Sequence, residues 1–199
     1  TSSTAHHNVG VMLKKSLRNE EALNHFEKAL ELDGEYLKAA KNLANTAKEV
    51  GRSDLEIKGY RTLLRENSSH PNRLDFVRLL LSIAKAESDV MEYSDQPLTI
   101  KEGPSLAKEA LLHLRSENNL DESMLIPEAM TLADQQVEAV KVWKKLLEEY
   151  PNEPKIWLGL SNSLEKMGEF EKAEKCKLKF RELSGESDDL GILSNPVVI

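Results

Sequence analysis

Lys38, Lys41, Asn42, Asn45 and Lys48 stand within one short stretch, and their chemistry is that of binding rather than catalysis. Ammonium groups favour carboxylates. A side-chain amide both donates and accepts, so it can match a peptide bond in a ligand. On a helix these spacings place the five side chains on one face. The same lysines also fit a solvated helix face, and both readings stand at this point.

Metal-ligating and nucleophilic residues are sparse. His6 and His7 are adjacent, so on a helix they point apart and make a poor metal pair. His25, His70 and His113 share no spacing. Cys176 is the sole cysteine, which excludes an internal disulfide and thiolate zinc sites. It reads as a buried structural thiol. There is no Gly-rich phosphate loop, no His-Glu-x-x-His and no Gly-x-Ser-x-Gly. No catalytic residue, metal ligand or cofactor is assigned, and the chain is expected not to be an enzyme.

The elements that must position the lysines and amides are helices. The chain has 199 residues, with 40% hydrophobic, 31% charged and 5% aromatic residues, 9 Gly and 7 Pro. That is too few turn formers for an all-β fold. No apolar run exceeds that of Leu79–Leu81, far short of a membrane span. Acidic residues number 34 against 27 basic ones, for a net charge of −7. Duplex binding normally needs a basic excess, so nucleic acid is not the expected partner. The composition and the single cysteine fit an intracellular, cytoplasmic setting. The chain begins at Thr1, as a fragment or processed form would, so an upstream targeting signal is left open.

Offset by 34 residues, the sequence matches itself. Asn8-Val9-Gly10 falls on Asn42-Leu43-Ala44, Phe26 on Tyr60, Leu30 on Leu64, Ala139 on Ala173 and Leu146 on Phe180. Small residues land on small ones and large apolar ones on large apolar ones. A period of this length marks stacked helical hairpins. Gly51 and Gly168 suit the turns between paired helices. Ala22 and Ala173 suit close helix crossings, and Phe26, Tyr60 and Trp143 suit pockets between hairpins.

The segment from Ala22 to Asp33 resembles the second helix of a tetratricopeptide repeat, as does that from Ala139 to Pro151. Trp157-Leu158-Gly159-Leu160-Ser161 through Gly168 to Ala173 resembles a first helix, its turn and the start of the second. The resemblance implies an all-α, right-handed superhelical solenoid of about five antiparallel helix hairpins with an insertion in the third. The repeats run 3–36, 37–70, 71–119, 120–153 and 154–187, with a loop at 89–103. The first helix of repeat three is expected to end near Ser88. Glu56 stands where the pattern wants Ala, which predicts a wider or shifted crossing in repeat two. Pro127 inside a helix predicts a late start or a kink. The apolar tail 188–199 is expected to pack back on the array or to lead into a further segment.

The family's first helices line a concave groove that commonly holds an extended peptide or a partner's helix. The register places Asn8, Lys38, Lys41, Asn42, Asn45, Lys48, Phe76 and Asn162 on it. The implied partner is a protein or peptide, acidic or carboxylate-bearing. Lys41 and Asn45 resemble the opening of the clamp by which one subfamily grips the terminal carboxylate of heat-shock chaperones. Phe76 stands where that clamp needs an Asn, so a full clamp is not expected. The function that follows is an interaction scaffold or adaptor. The alternatives are a recruiting arm of a larger enzyme and a self-associating subunit.

Overall fold

The computed structural model describes residues 2–93, 102–115 and 119–185. The described residues form helices without strands: α1 Ser3–Lys15, α2 Asn19–Leu32, α3 Leu37–Val50, α4 Ser53–Glu66, α5 Arg73–Tyr93, α6 Gly103–His113, α7 Leu120–Leu132, α8 Gln136–Glu149, α9 Pro154–Lys166 and α10 Phe170–Ser184. They pair in chain order into hairpins. The chain packs as two units, Thr1–Arg115 and Ser116–Ile199. The first holds the hairpins α1/α2, α3/α4 and α5/α6, and the second holds α7/α8 and α9/α10.

Local chemistry sets the helix ends. The Ser2 hydroxyl accepts from the Ala5 amide at 3.2 Å and caps α1. Pro104 and Pro154 occupy first-turn positions, where a missing amide hydrogen costs nothing. In the first, second, fourth and fifth hairpins a tight turn joins the two helices through one left-handed residue. Gly51 and Gly168 fill it at φ 78° and 77°. In the first and fourth hairpins the same repeat position carries Leu17 at φ 60° and Asp134 at φ 61°.

In the first unit, Ala22, Phe26, Ala29, Ala39, Leu43, Phe76, Val77 and Leu80 are fully buried. Burying one such large apolar side chain contributes roughly 1.5–3 kcal/mol. Tyr60 of α4 reaches the next hairpin, its ring centroid 5.8 Å from that of Phe76. The second unit is built around Trp143, with Met124, Ala139, Val140, Leu146, Ile156, Leu160, Leu164, Ala173 and Cys176. Gly159 leaves no room for a β-carbon against the Trp143 ring. The indole N–H donates to Ser163 Oγ at 3.1 Å, which satisfies its one polar atom. Trp157 packs on this core from its edge and donates to the Pro151 carbonyl at 2.8 Å.

Glu56 is buried on α4, 7% exposed. One turn later, at Gly59, α3 and α4 are in close contact. A β-carbon there would sit 2.7 Å from the Ala40 carbonyl oxygen and 2.8 Å from the Ala44 β-carbon. Pro127 lies inside α7 and is buried, and the helix starts at Leu120, so there is no late start. In the third hairpin α5 continues past Ser88 to Tyr93, because nothing in that stretch breaks a helix. Both ends of α5/α6 are tied: Glu87 Oε2 accepts from the Gly103 amide at 2.6 Å, and Arg73 donates to the His113 carbonyl at 2.5 Å. Of the expected 89–103 loop, residues 94–101 lie outside the described residues, as does all of 188–199.

Candidate functional site

Helix α3 carries most of the residues singled out for binding. Ala39, Ala40, Leu43, Ala44, Thr46 and Ala47 are buried on its inner side. Lys38, Lys41, Asn45 and Lys48 follow one another at steps of three and four residues, so they form a stripe on the opposite side. The three lysines are exposed and Asn45 is half-buried. Among the described residues, none of the three lysines is in an ion pair within 4 Å. The neighbouring cation of α1 is different: Lys14 Nζ lies 2.8 Å from Glu49 Oε1 of α3, so its charge is already matched.

Asn42 sits beside the stripe, half-buried. Its amide donates to His7 Nε2 at 2.9 Å, across from α3 to α1. That assignment leaves the His7 proton on Nδ1, which faces the Tyr36 hydroxyl at 3.4 Å. Asn42 therefore joins two hairpins, and part of its hydrogen-bonding capacity is committed. Asn8 is exposed on α1. Asn162 is exposed on α9, in the second unit.

Phe76 is a correction. Its ring is fully buried, between Tyr60 and His113, with centroids 5.8 and 5.3 Å away. It cannot face a ligand. Phe76, Val77, Leu80, Leu81 and Ala84 form the buried stripe of α5, so the register counted from residue 71 misplaced the faces of that helix.

The end of the stripe has an unusual electrostatic feature. Glu56 is only 7% exposed. Burial pushes its carboxyl above the usual range; Lys48 works against this and Asp75 adds to it. Burial likewise raises the Tyr60 phenol to about 12, helped by Glu56 and Asp75 and opposed by its hydrogen bond to Asn72. Cys176 is buried in the second unit, and burial raises its thiol, which disfavours the reactive thiolate. Among the described residues, no three His, Cys, Asp or Glu side chains converge as a metal-binding group.

One apposition escaped the sequence. His6 of α1 and His25 of α2 meet across the first hairpin, with their Nδ1 atoms 3.2 Å apart. No spacing motif marks the pair, but both residues fall within a single 34-residue repeat, and that was the available signal.

The tetratricopeptide repeat family model matches residues 3–36. No curated protein sequence matches the chain. Solved structures share its fold, among them the following three. A MamA protein has a TM-score of 0.55 at 13% identity, with 98% of each chain covered. MamA from Desulfovibrio magneticus RS-1, from residue 41 to its end, has 0.54 at 13%, with 94% of this chain and 97% of that one covered. YrrB, described as a tetratricopeptide-repeat protein with an unusual peptide-binding site, has 0.54 at 15%, with 91% and 86% covered. At these identities the likeness is one of fold.

Proposed function

Residues 3–36 are a tetratricopeptide repeat and the chain has the tetratricopeptide-repeat fold; on that premise we propose that it is a non-catalytic interaction scaffold that binds an acidic peptide segment along α3. One observation carries this reading. Lys38, Lys41 and Lys48 form an exposed stripe without ion-pair partners among the described residues, in a chain whose net charge is −7. Lys14 on the neighbouring helix differs, being paired with Glu49. Asn45 and Asn8 supply exposed or half-exposed amides that can pair with the backbone of an extended peptide. The fold supports the reading, since YrrB holds a peptide-binding site on a similar frame.

The test is fluorescence anisotropy with a labelled Asp/Glu-rich peptide that ends in a free carboxylate. Affinity should fall with added salt, because exposed charges are screened over about 8–10 Å at physiological ionic strength. Lys41→Glu should weaken binding at least about tenfold, through lost attraction and new repulsion. The Lys41→Ala/Asn45→Ala double variant should weaken it too. Binding that neither substitution alters removes α3 as the site.

A further inference from the structure

Away from the α3 stripe, one pair of side chains stands at ligand spacing. His6 projects from α1 and His25 from α2, and the hairpin brings their Nδ1 atoms to 3.2 Å. Their ring centroids are 5.2 Å apart and the planes are tilted by 36°. Both rings are half-buried, so each is held by the hairpin yet still meets solvent. Two imidazole nitrogens bound to one tetrahedral zinc at about 2.0–2.1 Å are separated by roughly 3.3 Å. The hairpin thus presents two ring nitrogens at the bite of a metal ion before any metal arrives.

Among the described residues no third imidazole, thiol or carboxylate converges on the two rings as they stand, so a third protein donor requires a rotated Glu21. Glu21 lies one turn before His25, on the same face of α2. Its carboxylate is exposed and takes two 2.6 Å hydrogen bonds from Arg18. Those bonds hold the Glu21 carboxyl below its usual range, and the nearby His25 contributes in the same direction. An exposed side chain of this length can rotate from Arg18 toward the rings at small cost, because surface ion pairs are worth little. Water completes the shell. Imidazole with a carboxylate suits zinc, copper and nickel rather than magnesium or calcium.

We propose that His6 and His25 form a divalent transition-metal site on the first hairpin, with zinc as the reference ion and Glu21 as the third ligand. The ion would pin α1 to α2 in the folded state. Because the unfolded chain does not hold the two rings together, binding raises the melting temperature. The site is independent of the α3 stripe and of what that stripe binds.

The experiment uses the full chain without an affinity tag and zinc ions alone. Isothermal titration should show one zinc per chain, and added zinc should raise the melting temperature. His6→Gln and His25→Gln should each weaken binding by about tenfold or more, and Glu21→Gln by less. His70→Gln should change nothing. Circular dichroism of each variant confirms that the helices persist. Cobalt in place of zinc should give visible bands of tetrahedral intensity that either histidine substitution abolishes. Absence of zinc binding, or binding that survives both histidine substitutions in folded protein, overturns the proposal and leaves the rings as a hydrogen-bonded pair.

Discussion

Asn42 of α3 donates its side-chain amide to His7 Nε2 of α1 across 2.9 Å, and this bond joins the first hairpin to the second. His7 is buried, with 9% exposure, and its ring packs between Phe26 and Tyr36. Truncating Asn42 would leave a buried ring nitrogen without that donor. Such groups cost about 1–3 kcal/mol when left unmatched. Asn42→Ala should therefore lower stability by ~1–2 kcal/mol in urea titration. A double-mutant cycle with His7→Phe should show a coupling of ~0.5 kcal/mol or more. Zero coupling would mean that Asn42 acts through its own helix alone.

Gly59 provides a sharper test of packing because two effects of opposite sign compete there. In an exposed helix interior, Gly→Ala gains up to about 1 kcal/mol of helix propensity. Here the new methyl would lie 2.7 Å from the Ala40 carbonyl oxygen and 2.8 Å from the Ala44 β-carbon. Both neighbours belong to, or sit directly on, the α3 backbone and cannot swing away. Overpacking of this kind costs ~1–3 kcal/mol and should win. Gly59→Ala is expected to be destabilising by ~1 kcal/mol or more in chemical denaturation. A stabilised variant would place the close crossing elsewhere.

These two contacts show which features a sequence carries. The period, the hairpin turns at Gly51 and Gly168 and the small residues at crossings depend on neighbours within one repeat, so they were legible. The departure at Glu56 was legible, because it breaks the small-residue rule at its own position. The close contact at Gly59 depends on how α3 and α4 pack. Phe76 was misread because its face depends on the register of α5, a helix of 21 residues that starts at Arg73. The stripe Phe76, Val77, Leu80, Leu81 and Ala84 was visible as helical periodicity and outweighs a register counted from the preceding repeat. The apposition of His6 and His25 needs the third dimension: no i,i+3 or i,i+4 rule relates residues nineteen apart.

Leu17 occupies the left-handed turn position that Gly51 and Gly168 fill in other repeats. A left-handed backbone costs roughly 1–2 kcal/mol in a residue with a β-carbon. Leu17 is 87% exposed, so its side chain returns little burial. Glycine would relieve the strain and would add about 0.5–1 kcal/mol of unfolded-state entropy against folding. Leu17→Gly should thus stabilise the first hairpin by ~0.5–1 kcal/mol, seen as a higher melting temperature. A lower one would show that the exposed Leu17 side chain makes contacts worth more than the strain.

Glu56 predicts how stability depends on pH. Burial raises its carboxyl in the folded protein, with Lys48 opposing and Asp75 assisting. The unfolded chain has the ordinary value, so between the two values the folded state binds more protons. Stability from this group is then fully present below the ordinary carboxylate range and is lost as pH rises through the folded value. At neutral pH the buried charge is a net cost. Glu56→Gln keeps the size and removes the charge, so it should be more stable than the parent at pH 7. The advantage should shrink as pH falls toward 4, where the parent carboxyl also becomes neutral. Urea titrations of both proteins at pH 4, 5.5 and 7 measure this directly. An advantage that stays constant with pH would point to packing. A variant less stable at pH 7 would show that Lys48 outweighs burial and that Glu56 serves as the partner of the lysine stripe.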